Sequence, residues 1–69
     1  MADWSSSKGS AVLSALKRIG WMVARQNGSH KVLKRDGKSY VFAFADSDEI
    51  GPKMLAKIAV GTGLTPDDM

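Results

Sequence analysis

The sequence predicts an α+β fold in the order α-β-β-β-α, a three-stranded antiparallel sheet with two helices on one face. Three observations carry that expectation. An apolar stripe of helical period runs through residues 10–20. Two hairpin dipeptides, Asn27-Gly28 and Asp36-Gly37, separate three strand-forming runs, and a second helical run opens on Pro52 and stops at Gly63.

In the first helix Val12, Leu13, Leu16 and Ile19 recur on one face. Ser10 is its expected cap, with Ser7 as the alternative. Lys17 and Arg18 suit the negative end of the helix dipole, and Gly20 supplies the stop. Trp21 to Gln26, Ser29 to Arg35 and Lys38 to Ala45 then read as strands of a meander. Asp46-Ser47-Asp48-Glu49 is an acidic loop, expected to complement the positive start of the second helix, Pro52 to Thr62. That helix should bury Leu55, Ile58 and Ala59. Thr65-Pro66-Asp67-Asp68 has the pattern of a capped closing turn.

Two-residue turns set strand register. With Asn27-Gly28 and Asp36-Gly37 as turn centres, Arg25 faces His30 across the first hairpin and His30 faces Ala43 across the second. One face then holds Trp21, Val23, Arg25, His30, Val32, Lys34 and Val41. The other holds Met22, Ala24, Lys31, Leu33 and Arg35 with Tyr40, Phe42 and Phe44. The second set has the larger apolar bulk and is expected under the helices, although Trp21 and Val41 fit that arrangement poorly. Met22 and Met54 are read as core fillers, and the aromatics as core in preference to a base-stacking platform. The third strand should deliver Ala45, Asp46 and Asp48 near His30, where a carboxylate would orient the ring.

At 69 residues the chain has length for one domain, 1–69, which buries only roughly 60% of its unfolded surface. It has no cysteine, so neither disulfides nor a thiolate metal site staple it. A reducing cytoplasm fits this composition, and no leader peptide or membrane span is expected. Net charge is +3, but residues 8–38 carry eight basic side chains against Asp36 alone, whereas residues 39–69 are net acidic. Such a basic segment attracts nucleic acid by releasing condensed counterions. The alternative is a solvated, lysine-rich surface.

His30 is the single histidine, and the unperturbed imidazole pKa of roughly 6.5 suits general acid or base work. The alternative is an edge histidine that binds phosphate or caps a turn. No carboxylate cluster has metal-ligand spacing, so neither metal nor cofactor is expected; Asp46, Asp48 and Glu49 would hold a cation only weakly.

The run Arg25-Gln26-Asn27-Gly28-Ser29-His30, after Ile19-Gly20-Trp21 and before a basic strand, resembles the Gly-Ser-His signature of the HicA (YcfA-like) mRNA interferases. Glu49 to Ile58, followed by Thr62-Gly63-Leu64, is similar to that family's second helix and closing Gly-Leu. The resemblance covers nearly the whole chain. It implies a double-stranded-RNA-binding-domain-like fold and a ribosome-independent endoribonuclease, the toxin of a type II toxin-antitoxin pair. It also implies a HicB-like antitoxin that masks the active site, with the toxin a monomer alone or a hetero-oligomer with its antitoxin. By resemblance His30 is catalytic. Arg25, Gly28, Ser29, Lys31, Lys34, Arg35 and Lys38 are the expected RNA contacts, with Arg25, Lys31 or Lys34 stabilising charge added at phosphorus. Many relatives carry a second histidine where Ala45 stands. That departure leaves two alternatives open: a catalytically weak or inactive RNA-binding module, and a chain that acts mainly by holding its antitoxin.

Overall fold

A computed structural model of the chain describes residues 4–69; the part of the leader reading that falls on Met1–Asp3 lies outside them. The elements are β1 (Ser7–Lys8), α1 (Gly9–Arg18), β2 (Met22–Asn27), β3 (His30–Arg35), β4 (Lys38–Phe42), β5 (Glu49–Ile50) and α2 (Pro52–Thr62), then a 3-10 turn at Pro66–Asp68. β2-β3-β4 form the expected antiparallel meander. β1 and β5 pair separately, Ser7 with Ile50 and Lys8 with Glu49. Two-residue strands carry no periodicity, so this ladder leaves no trace in the pattern of residues.

That ladder changes how α1 begins. Neither Ser10 nor Ser7 caps it; Lys8 occupies the cap position without a side-chain bond. The Gly9 amide donates to the Asp48 carbonyl at 2.8 Å and the Ser10 amide to the Asp46 carbonyl at 3.2 Å. Backbone carbonyls thus satisfy amides that a helix start leaves without partners. The acidic loop therefore serves α1 and not α2, whose first turn holds no acidic residue. The Asp48 carboxylate turns inward to accept from the Ala45 amide at 2.9 Å.

The second hairpin has the expected register, Arg35 opposite Lys38 and Val32 opposite Val41. In the first, Asn27 pairs with His30, so Gly28 and Ser29 are the turn centre, one residue later than expected. A bulge between Val23 and Arg25 then shifts the phase of β2. It keeps Arg25 on the open face and brings Trp21 and Val23 to the covered one, while Met22 is 70% exposed. The larger apolar burial decides this: a Trp-Val pair removes more apolar surface from water than the Met-Ala pair it displaces.

The core joins Val12 and Leu16 of α1, Leu33 and Phe42 of the sheet, and Leu55 and Ile58 of α2. Phe44 packs on Phe42 at 5.3 Å between ring centroids. Tyr40 meets Trp21 edge-on at 6.4 Å, and burial raises its phenol pKa above 10.0. Met54, expected as a filler, is 40% exposed on α2. α2 has the expected bounds and ends at Gly63, whose φ of 79° is left-handed. Thr65 and Asp68 make the expected capping box, with the Thr65 amide donating to Asp68 Oδ2 at 2.8 Å.

The Trp21 indole N–H donates to the Thr62 carbonyl at 3.0 Å in the buried interior. Trp21→Phe removes the donor and leaves a void, and is expected to cost about 2 kcal/mol in urea unfolding. A loss below about 0.5 kcal/mol would show that the bond adds nothing to packing.

Candidate functional site

The open face of the sheet carries Met22, Arg25, Asn27, His30, Val32, Lys34, Ser39 and Val41, an assignment that follows from the pairing. His30 opens β3 directly after the turn. Because the turn centres on Gly28-Ser29, Arg25 stands opposite Val32 and His30 opposite Asn27. Arg25 and His30 are therefore diagonal neighbours, not the direct pair the two-residue turn predicted, and remain within reach of a long side chain. Both line a shallow depression of about 260 Å³ with Gln26, Asn27, Val32 and Val41. Val41, 57% exposed, helps to form an apolar floor. Gln26 steadies the turn, its amide donating to the Gly28 carbonyl at 3.2 Å.

Among the described residues the His30 side chain has no hydrogen-bond partner and no carboxylate within ion-pair distance. The expected approach of Asp46 or Asp48 does not occur: Asp48 is engaged by Ala45, and Asp46 lines a different pocket. The imidazole is exposed, and both ring nitrogens are left to a ligand. A ring in that state accepts or donates one proton, and the Arg25 guanidinium offers a planar fork of donors suited to phosphate.

The other expected contacts do not converge on this depression. Lys34 is exposed on the same face, farther along, between Met22 and Ser39. Lys31 points to the covered face, where it is buried with its ammonium donating to the Phe44 carbonyl at 3.5 Å. Gly28, Ser29 and Lys31 line a second pocket, of about 480 Å³, which they share with Ala45, Asp46 and Ser47. Arg35 and Lys38 lie at the far end of the sheet, in a recess of about 340 Å³ beside Trp21 and Thr62. There Arg35 donates to the Thr62 carbonyl at 3.5 Å and lies 3.6 Å from the Asp36 carboxylate. Strand alternation explains the division, since His30 and Lys31 are adjacent and face opposite ways.

Asn27 and Gln26 belong to the depression and were not singled out by sequence reasoning. Their signal was present in the turn: moving its centre to Gly28-Ser29 places Asn27 beside His30. Among the described residues no three metal-ligating side chains gather, and no helix is long and apolar enough to cross a membrane.

A comparison with curated proteins returns no match. The profile of a family described as the HicA toxin of bacterial toxin-antitoxin matches residues 9–64, which takes in both helices, the whole meander and the Gly28-Ser29-His30 turn. With that extent of match and the α+β architecture in place, the chain belongs to the HicA toxin family, the toxin partners of antitoxin proteins.

Proposed function

We propose that this chain, acting as one HicA-like domain over 1–69, is an mRNA interferase: a cytoplasmic, ribosome-independent endoribonuclease held in check by a HicB-like antitoxin. The supporting observation is the open-face depression in which an unengaged His30 stands diagonal to Arg25 over a Val32–Val41 floor.

In this scheme His30 takes the proton of a ribose 2′-hydroxyl, and the resulting oxygen attacks the adjacent phosphorus. The bond from phosphorus to the 5′-oxygen breaks, leaving a 2′,3′-cyclic phosphate on one fragment. The 5′-oxygen takes a proton, from the His30 imidazolium or from water, to become a hydroxyl. Arg25 stabilises the charge that builds on the phosphoryl oxygens. Lys34, on the same face, holds the strand through a neighbouring phosphate. Neither metal nor cofactor has a part in these steps.

The test is cleavage of a defined RNA in EDTA with analysis of the ends. Cyclic phosphate and 5′-hydroxyl termini with undiminished rate are expected. Loss of activity on chelation, or 5′-phosphate ends, would overturn the metal-free scheme.

Ala45 favours a second reading. By resemblance a histidine often stands there, and this chain has no second imidazole. A weak or inactive enzyme that binds RNA, or mainly holds its antitoxin, would leave RNA intact at micromolar protein. Recovery of cleavage in Ala45→His would identify that case.

A further inference from the structure

Lys31 is 7% exposed, which is unusual for a lysine. Its ammonium carries three donors, and the described residues supply one acceptor, the Phe44 carbonyl, at 3.5 Å. That distance is at the outer limit of a hydrogen bond. No carboxylate lies within ion-pair distance of it among the described residues. The rest of the side chain is packed away, so the ammonium sits at a fixed place in the wall of the fold with donors left to offer a ligand.

The same side chain lines the 480 Å³ pocket between the Gly28-Ser29 turn and the Ala45–Ser47 segment. Gln26, Ser29 and Ser47 add polar groups to its wall, and the small Ala45 side chain leaves the space beside Lys31 open. Asp46 also lines the pocket; it is exposed and lies beyond ion-pair distance of Lys31.

We propose that this pocket is a phosphate subsite for RNA, with Lys31 as its charge. This rests on the reading of the open face given above: a strand crossing the Gly28-Ser29 tip presents one phosphate to His30 and a flanking one, across the hairpin, to Lys31. The Ser29 and Ser47 hydroxyls supply further donors to the bound phosphate. Alternation along β3 thus divides the substrate between two sides of one hairpin, with chemistry on the open face and anchoring on the other.

The test uses the full chain and a short 2′-O-methyl oligoribonucleotide, which binds but has no nucleophile. In wild type, inorganic phosphate and the oligonucleotide should both shift the amide resonances of Ser29, Lys31 and Ser47. Lys31→Gln should weaken oligonucleotide affinity several-fold and reduce the salt dependence by roughly 0.7 in the log-log slope, the loss of one phosphate contact. Its melting temperature should hold within a few degrees, because glutamine keeps the packed stem and a donor for the Phe44 carbonyl. Ala45→Glu, which retains Lys31 but sets a carboxylate beside it, should weaken binding to a similar degree and guards against misfolding of the first variant.

Unchanged affinity and slope in both folded variants would overturn the subsite. So would intact RNA binding together with loss of capture by a co-expressed antitoxin, which would assign Lys31 to a protein carboxylate. The two readings separate cleanly. If Lys31→Gln binds as wild type while His30→Ala has lost cleavage, the subsite alone fails. If wild type binds no oligonucleotide, both fail.

Discussion

His30→Ala is expected to lower the rate of RNA cleavage by about 10²- to 10⁴-fold, the range lost when a general acid or base is removed. Expression of the wild-type chain should arrest growth and deplete mRNA, and the variant should do neither. The comparison is clean because His30 is exposed and its side chain has no hydrogen-bond partner among the described residues. Its loss should change stability by no more than about 0.5 kcal/mol, so an inactive variant that melts with wild type isolates chemistry from folding. Cleavage retained within a few-fold would remove the imidazole from the mechanism and leave the open face as a binding surface.

Gly9→Ala should be the most damaging single-methyl change in the chain, and its sign opposes the local expectation. Within a helix, alanine in place of glycine is favourable by up to about 1 kcal/mol, and at Gly9, the first residue of α1, some part of that gain is the local expectation. At Gly9 the added Cβ would overlap the Ala45 carbonyl oxygen and lie 3.1 Å from the Ala45 carbonyl carbon. Both are backbone atoms, in a loop pinned by the Gly9 to Asp48 and Ser10 to Asp46 hydrogen bonds. Relief requires the loop to withdraw, with loss of those cap bonds and disturbance of the β1–β5 ladder. A net cost of about 3 kcal/mol follows, which for a chain of this size lowers the melting temperature by roughly 12–24 °C. Calorimetry decides the matter. A variant that melts at or above wild type would show that the loop moves freely and that the carbonyl cap contributes nothing.

Both predictions depend on features that differ in how legible they are from residues alone. The histidine was visible at once, as the single imidazole after a Gly-Ser turn in a basic segment. Its neighbours were not. Asn27-Gly28 is a strong hairpin dipeptide, yet the turn centres on Gly28-Ser29, which shifts the β3 partners of Arg25 to Asn27 by two residues and leaves the faces unchanged. The bulge between Val23 and Arg25 is what puts Trp21 and Val23 under the helices while Arg25 stays outside. That choice is made by summed burial across β2, β3 and both helices, which no local dipeptide encodes. The same limit explains Lys31. Its charge placed it with the RNA contacts, whereas alternation along β3 turned it away from His30 and into a separate pocket. Arg35 and Lys38 flank the second turn, at the opposite end of β3 from His30, and their place along the strands keeps them from it.

By itself, the sequence determined the order of the principal elements, both ends of α2, the second hairpin, the closing turn and the family, because each rests on contacts within a few residues: helical periodicity, proline and glycine stops, and a capping box. Tertiary structure alone decided the pairing of β1 with β5, the carbonyl cap on Gly9, the bulge in β2 and the division of the basic residues between two faces. Each of these joins segments distant in the chain or balances one buried set against another, and such terms appear only when the whole core is assembled. His30 belongs to both accounts: the local motif singled it out, and the assembled sheet set Arg25 diagonal to it and turned the acidic loop toward α1.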